Sequence, residues 1–261
     1  MDVIDTWLLI LGLFHLLLFI FSLFFFVPKK IIQTPLKHYF HLFFLQKKYL
    51  IIILFIVAFH LIEVNLLDSY FTSIVGNDFA ASIHHIENGV VHWFSQHWTP
   101  ALLYIFVFIY IVVYPFTLWF SPFYFIITKD TKAISTLAYG LVFIYVVALP
   151  FYLFLPITNV YTFYGTESAL EMVIPSVEIF FYSTTTFNNC FPSLHVAMTI
   201  LIAQSVSLTK NKRYTYFTYL CAVLVVISVI YLSIHWITDV LGGILLAIGA
   251  FYLQRTIIKE K

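Results

Sequence analysis

The chain has 261 residues, of which 62% are hydrophobic, 20% aromatic and only 10% charged, with a formal net charge of +1. No soluble fold of this length keeps so much apolar surface away from water, so a water-dissolved domain is excluded and the bilayer becomes the expected solvent. Seven stretches approach the about 20 apolar residues that cross a hydrocarbon core: 7–27, 49–67, 100–120, 134–155, 192–209, 214–234 and 237–254. Transmembrane strands would alternate over about ten residues each. An all-α, polytopic transmembrane helical bundle is therefore predicted.

The first stretch is preceded by Asp2 and Asp5 rather than by Lys or Arg, and its apolar run is full length. It reads as a retained helix, not a signal peptide. A basic connection follows, carrying Lys29, Lys30, Lys37, Lys47 and Lys48. Near the far end of the second helix stand His60 and Glu63, three apart; an intramembrane pair facing a site and interfacial snorkelling are equally open readings. The connection 68–99 contains an aromatic, histidine-rich, helix-like stretch, Phe79–Trp98, suited to the membrane interface. Its His84, His85, Glu87 and His92 could supply charge or hold a divalent metal, but their spacing is loose beside real zinc motifs. Interfacial packing or solvated histidines is the favoured reading. Trp93, Trp98 and Trp236 fit interfacial anchoring.

Further basic residues fall at Lys129 and Lys132, at Lys210, Lys212 and Arg213, and at Arg255, Lys259 and Lys261. With seven helices, all 13 Lys and Arg lie on one side, which the positive-inside rule makes cytoplasmic. The N-terminus is then extracytoplasmic and the C-terminus cytoplasmic. Among the acidic residues only Asp130 and Glu260 share the basic side. This asymmetry is read as insertion topology, not as a nucleic-acid surface. Of the two cysteines, Cys190 falls in an outer loop and Cys221 in a helix, so no disulfide is expected.

Two motifs carry chemistry, both on the outer side. The connection 156–191 ends in Phe187-Asn188-Asn189-Cys190-Phe191-Pro192-Ser193-Leu194-His195, and an apolar helix follows. Pro192 suits a first helical turn, and an Asn before it could cap. The backbone N–H groups of Ser193, Leu194 and His195 at a helix start would offer a phosphate site. The second motif runs from Ser228 to Gly243 and contains His235 and Asp239, four apart, as on one helix face. A carboxylate accepting from one imidazole nitrogen fixes the tautomer and leaves the other nitrogen nucleophilic. A purely structural pair tying helix ends together is the equal alternative. Gly242 and Gly243 would allow close helix packing.

These residues resemble the type 2 phosphatidic acid phosphatase superfamily. Its PSGH motif is met by Pro192-Ser193-Leu194-His195, differing only at glycine, and its SRxxxxxHxxxD motif by Ser228, His235 and Asp239, with Val229 in place of arginine. The PSLH form looks closest to the inositol phosphorylceramide synthase-like branch. The resemblance covers about residues 100–255 and implies a six-helix phosphatase-like core at 49–261, with 1–48 as an added helix and basic cytoplasmic loop. It further implies His235 as nucleophile, Asp239 as its orienting partner and His195 as the acid for the leaving oxygen. Ser193 and neighbouring N–H groups, that of Leu194 among them, would hold the phosphoryl oxygens; Asn188, Asn189 and Asn159 could also donate to phosphate, though turns and caps are the commoner use of Asn. No obligatory metal or other cofactor is implied. The substrate would be a phospholipid, sphingolipid or polyprenyl phosphate in the bilayer, and the oligomeric state is not indicated.

The family's KxxxxxxRP motif is absent, the connection after helix four reading Pro156-Ile157-Thr158-Asn159-Val160-Tyr161-Thr162-Phe163-Tyr164. With Val229, all three usual cations are gone. Helix dipoles, Asn, Ser, Tyr, protonated His or a metal must then meet the phosphate charge. A catalytically silent lipid-binding or scaffold protein of the same fold is the alternative.

Overall fold

The structure is a computed structural model that describes residues 3–175 and 177–259. Asp2, Glu260 and Lys261 of the charge count lie outside the described residues. The main helices are α1 (Val3–Phe26), α2 (Lys47–Val75), α3 (Pro100–Ile127), α4 (Thr131–Phe154), α5 (Leu194–Val206), α6 (Lys212–Tyr231) and α7 (Ile237–Lys259). Five of them, α1 to α4 and α6, are long and apolar enough to cross a membrane; α5 and the Ile237–Leu253 part of α7 are shorter apolar helices. Among the described residues the only strand-like pairing is an isolated parallel bridge between Ile157 and Asn189.

The helices outrun the hydropathy boundaries. The second continues past residue 67 to Val75, through a π-helical turn at Glu63–Leu67, and stops at Gly76 with φ 62°. The third continues past residue 120 to Ile127, through a second π-helical turn at Ile109–Val113. Hydropathy reports the solvent, whereas a helix ends where the backbone turns left-handed or loses its hydrogen bonds. The basic connection is itself helical, at Lys29–Ile32 and Leu36–Leu45. Phe79–Trp98 is two helices, Ala80–Glu87 and Val90–Ser95, broken where Asn88 and Gly89 both take positive φ.

Helix α5 is the axis of the bundle and packs on α4, α6 and α7. Gly140 of α4 permits part of that approach, since a Cβ there would meet Leu201 of α5 at 2.6 Å. By contrast α1 lies at the periphery: only 6% of its span is buried, and its main contacts are with α3.

Two hydrogen-bonded ties gather one end of the bundle. Gln46 Nε2 donates to Thr131 Oγ1 at 2.7 Å, and Asn211 Nδ2 donates to the Phe26 carbonyl at 2.7 Å and to Tyr124 Oη at 3.0 Å. The connections carrying Lys29, Lys48, Lys132 and Lys212 therefore share an end. The start of α5, the end of α6 and the start of α7 lie at the other.

Candidate functional site

Helix α6 finishes in a Schellman turn, with Ser233 N–H donating to Ile230 O and Ile234 N–H to Val229 O, both at 3.0 Å. Ser233 takes the left-handed position, φ 56°, which glycine usually fills. His235 thus leaves the helix and sits in the turn before α7, not on a common helical face with Asp239. The two still meet, because Asp239 in the first turn of α7 reaches back: its Oδ2 accepts from Trp236 N–H at 2.9 Å and lies 3.3 Å from His235 Nδ1. This is the reciprocal half of a capping box. The carboxylate ties helix ends and holds the imidazole with the same atom.

His195 lies on α5, one residue into the helix. Its Nδ1 is 3.4 Å from His235 Nε2, and its Nε2 is 2.9 Å from the Tyr110 hydroxyl. With the carboxylate as terminal acceptor, one proton arrangement satisfies these three contacts, beside a further contact of His235 with the Cys190 backbone. Tyr110 O–H donates to His195 Nε2, His195 Nδ1–H to His235 Nε2, and His235 Nδ1–H to Asp239. His235 and Asp239 are 4% and 0% exposed, and burial lowers the His235 imidazole to about 3. A neutral imidazole with its Nε2 lone pair turned toward His195 is a nucleophile beside a proton carrier. Tyr110 was not legible in the sequence: it is one of many aromatics in an apolar run.

Helix starts here are largely occupied. Ser193 is the N-cap of α5: its hydroxyl accepts from Val196 N–H at 3.4 Å, and its own N–H donates to Asp239 O at 3.0 Å. That leaves the Leu194 and His195 amides without an intrahelical acceptor. At α7, Glu87 takes the Ile237 and Thr238 amides at 3.1 and 2.7 Å and the Thr238 hydroxyl at 2.7 Å. Glu87 is a cap supplied from 150 residues away. Of its sequence neighbours, His84 meets the Tyr164 hydroxyl at 2.6 Å and His92 stacks on the Tyr164 ring at 3.8 Å.

The three asparagines divide. Asn159 caps the short helix Val160–Phe163 through Thr162 N–H at 2.8 Å, and Asn188 donates to Thr72 Oγ1 at 2.8 Å. Asn189 donates to Glu63 Oε1 at 2.8 Å. Cys190 comes within 4.8 Å of the His235 and Asp239 ligand atoms. Burial pushes its thiol well above the usual range, so without a bound cation it is a neutral thiol.

All of this borders a cavity of about 580 Å³. Its polar lining includes His195, His235, Asn189, His60 and Glu63, with His15 on α1, and apolar side chains of α1 to α5 such as Leu8, Ile56, Leu118, Leu141 and Ile202 make up most of the wall. Such a lining suits a polar head and an apolar tail. No Lys or Arg lines it among the described residues. His60 and Glu63 do come together, with Nδ1 3.7 Å from Oε2.

A family model described as the PAP2 superfamily matches residues 73–253, well over half of the chain and beginning ahead of the 100–255 covered by the motif resemblance. A protein described as uncharacterized, from Methanocaldococcus jannaschii, is 31% identical over 101 residues. That match spans 38% of this chain and 41% of the relative, less than half the relative's length. No solved structure matches.

Proposed function

The chain belongs to the PAP2 superfamily, and from that premise we propose that it is a lipid-phosphate phosphatase or phosphotransferase working through a phosphohistidine. The observation that carries this reading is the buried His235–Asp239 pair, with His235 Nε2 facing His195 at 3.4 Å. A phosphate entering between the two imidazoles meets the nucleophile on one side and the acid on the other. His235 Nε2 forms the N–P bond while the bond from phosphorus to the lipid oxygen breaks. The electron pair leaves with that oxygen, and His195, neutral in the empty site and protonated beside the bound phosphate anion, supplies its proton. In the second half, water or an alcohol attacks phosphorus, His195 takes back the proton and the N–P bond breaks. Asp239 offsets the positive charge that His235 gains while bonded to phosphorus.

A transferase of the inositol phosphorylceramide synthase type, passing a head-group phosphate from a donor lipid to an alcohol acceptor, is the favoured form. Leu194 in the PSLH motif and Val229 in place of arginine support it, since a phosphodiester brings less charge than a monoester. We further propose that the site faces the extracytoplasmic side, because the basic connections gather at the opposite end of the bundle. Binding of the phosphoryl oxygens is assigned to the Leu194 and His195 amides. A silent lipid-binding protein is the second reading, favoured by the lack of Lys or Arg around the cavity.

Purified protein in detergent, offered monoester, diphosphate and diester lipids, should release or transfer phosphate and form an acid-labile phosphoprotein. His235→Ala should abolish both, and His195→Ala should slow turnover. Equal inertness of wild type and both variants across the panel would sink the catalytic reading.

A further inference from the structure

Helix α2 contributes a second set of polar groups to the cavity, about which the phosphoryl chemistry makes no demand. Glu63 is 1% exposed, lines the same cavity as His195 and His235, and uses Oε1 to accept from Asn189. Its other oxygen, Oε2, has no partner. His60 donates from Nε2 to the Thr184 carbonyl at 2.9 Å, which leaves Nδ1 as the free ring atom. That atom faces Glu63 Oε2 across 3.7 Å, beyond hydrogen-bond reach, and is also unpartnered. The amide oxygen of Asn189 is a third unpartnered acceptor in the same wall.

Buried acceptors without donors are uncommon in a folded protein, and a group of them lining one cavity describes the ligand that completes it. Here that ligand must carry several hydrogens on a cationic centre, because the carboxylate is held where water is scarce and no Lys or Arg among the described residues lines the cavity. A compact metal ion fits less well, since among the described residues only His60 and Glu63 of this wall offer an imidazole or carboxylate ligand, fewer than the three or four that usually hold such an ion.

We propose that Glu63, His60 Nδ1 and Asn189 Oδ1 form a head-group subsite for an organic ammonium carried by the lipid substrate. The inference rests on the proposed lipid-phosphate function, keeps its transfer chemistry but not the inositol head group of the inositol phosphorylceramide synthase-like branch, and gives its substrate a class: zwitterionic lipids whose phosphate meets the histidines while the ammonium meets Glu63.

The test compares binding of phosphatidylethanolamine, phosphatidic acid and phosphatidylinositol to the full-length protein in neutral detergent. Tryptophan fluorescence reads binding, with the His235→Ala protein used so that turnover does not consume the ligand. Phosphatidylethanolamine should bind at least about tenfold more tightly than the other two, the factor that one charge-assisted contact supplies. Adding Glu63→Gln should collapse that ratio, and Glu63→Asp, which keeps the charge, should retain part of it and exposes any loss due to misfolding alone. Equal binding of phosphatidylinositol, or a ratio unchanged by Glu63→Gln, overturns the subsite. His235-dependent turnover without any Glu63-dependent ammonium preference refutes the subsite and leaves the proposed function standing. Glu63-dependent ammonium binding without His235-dependent turnover of any lipid does the reverse.

Discussion

Asp239 is the residue at which fold and chemistry can be separated. Its Oδ2 accepts from both Trp236 N–H and His235, whereas Oδ1 has no partner. Asparagine can therefore place its one carbonyl oxygen where Oδ2 lies, keep both contacts, and put its amide nitrogen at the unpartnered position. Asp239→Asn should lower stability by no more than about 1 kcal/mol, the worth of one ordinary hydrogen bond. Asp239→Ala strands two buried donors, each worth about 1–3 kcal/mol, and should lower stability by about 2–6 kcal/mol. For the chemistry the order of severity changes, because both variants lose the negative charge opposite a His235 that becomes cationic at phosphorus. A unit-charge pair at this separation contributes up to about 4 kcal/mol at an effective dielectric near 20. The Asn variant should thus be well folded and slower by about 100-fold to 1,000-fold in kcat. Thermal midpoints in detergent and initial rates on the best lipid of the panel measure the two effects. An Asn variant that keeps a rate within threefold of wild type would show the carboxylate to be a helix cap and nothing more.

Three further outcomes follow from the same geometry. Tyr110→Phe removes the hydroxyl that holds His195 Nε2 and should lower kcat about tenfold, by about 1 kcal/mol, with little change in thermal midpoint; a larger change in midpoint than in rate would make Tyr110 a packing residue. Gly243→Ala puts a Cβ 2.5 Å from the Ser193 carbonyl and 3.0 Å from Val196 Cβ, so α7 must retreat from α5. A stability loss of about 1–3 kcal/mol and slower turnover are expected, and unchanged values of both would refute the close approach. Burial holds the folded-state pKa of His235 at about 3, whereas the unfolded chain protonates near 6.5. The share of stability that His235 contributes above about pH 6.5 is therefore lost as pH falls, and His235→Asn should flatten that part of the profile of thermal midpoint against pH.

Which features were legible in the sequence follows from the range of the forces that set them. The seven apolar stretches declared themselves because transfer into lipid is a sum over consecutive residues. His195, His235 and Asp239 were marked by their spacing, yet the reason that His235 meets Asp239 was not the expected one. A Schellman turn with Ser233 in the left-handed position and a back-reaching carboxylate accomplish what a shared helix face was expected to do. The Glu87 cap on α7 and the Tyr110 contact to His195 join residues far apart in the chain, and no local pattern announces either. Asn159 and Ser193 were singled out as phosphate ligands, but their side chains carry short-range capping bonds, the commoner use of those residue types.

The two π-helical turns account for much of what periodicity missed. Each turn widens the helix by one residue and rotates everything beyond it by about 100° relative to an uninterrupted α-helix. In α2 the turn begins at Glu63 and in α3 it contains Tyr110. Both residues line the cavity, and both make or invite the polar contacts that a lipid-facing position could not tolerate. A 3.6-residue reading carried through either turn assigns faces correctly on one side of it and wrongly on the other. The polar lining of the cavity is thus built where two helices each take one extra residue, and the apolar remainder follows from ordinary helical packing. A variant that deletes one residue from Glu63–Leu67 would restore the α-helical register of α2 and rotate Glu63 relative to the rest of the helix. It should therefore alter the polar wall of the cavity while leaving the His195–His235–Asp239 chain in place.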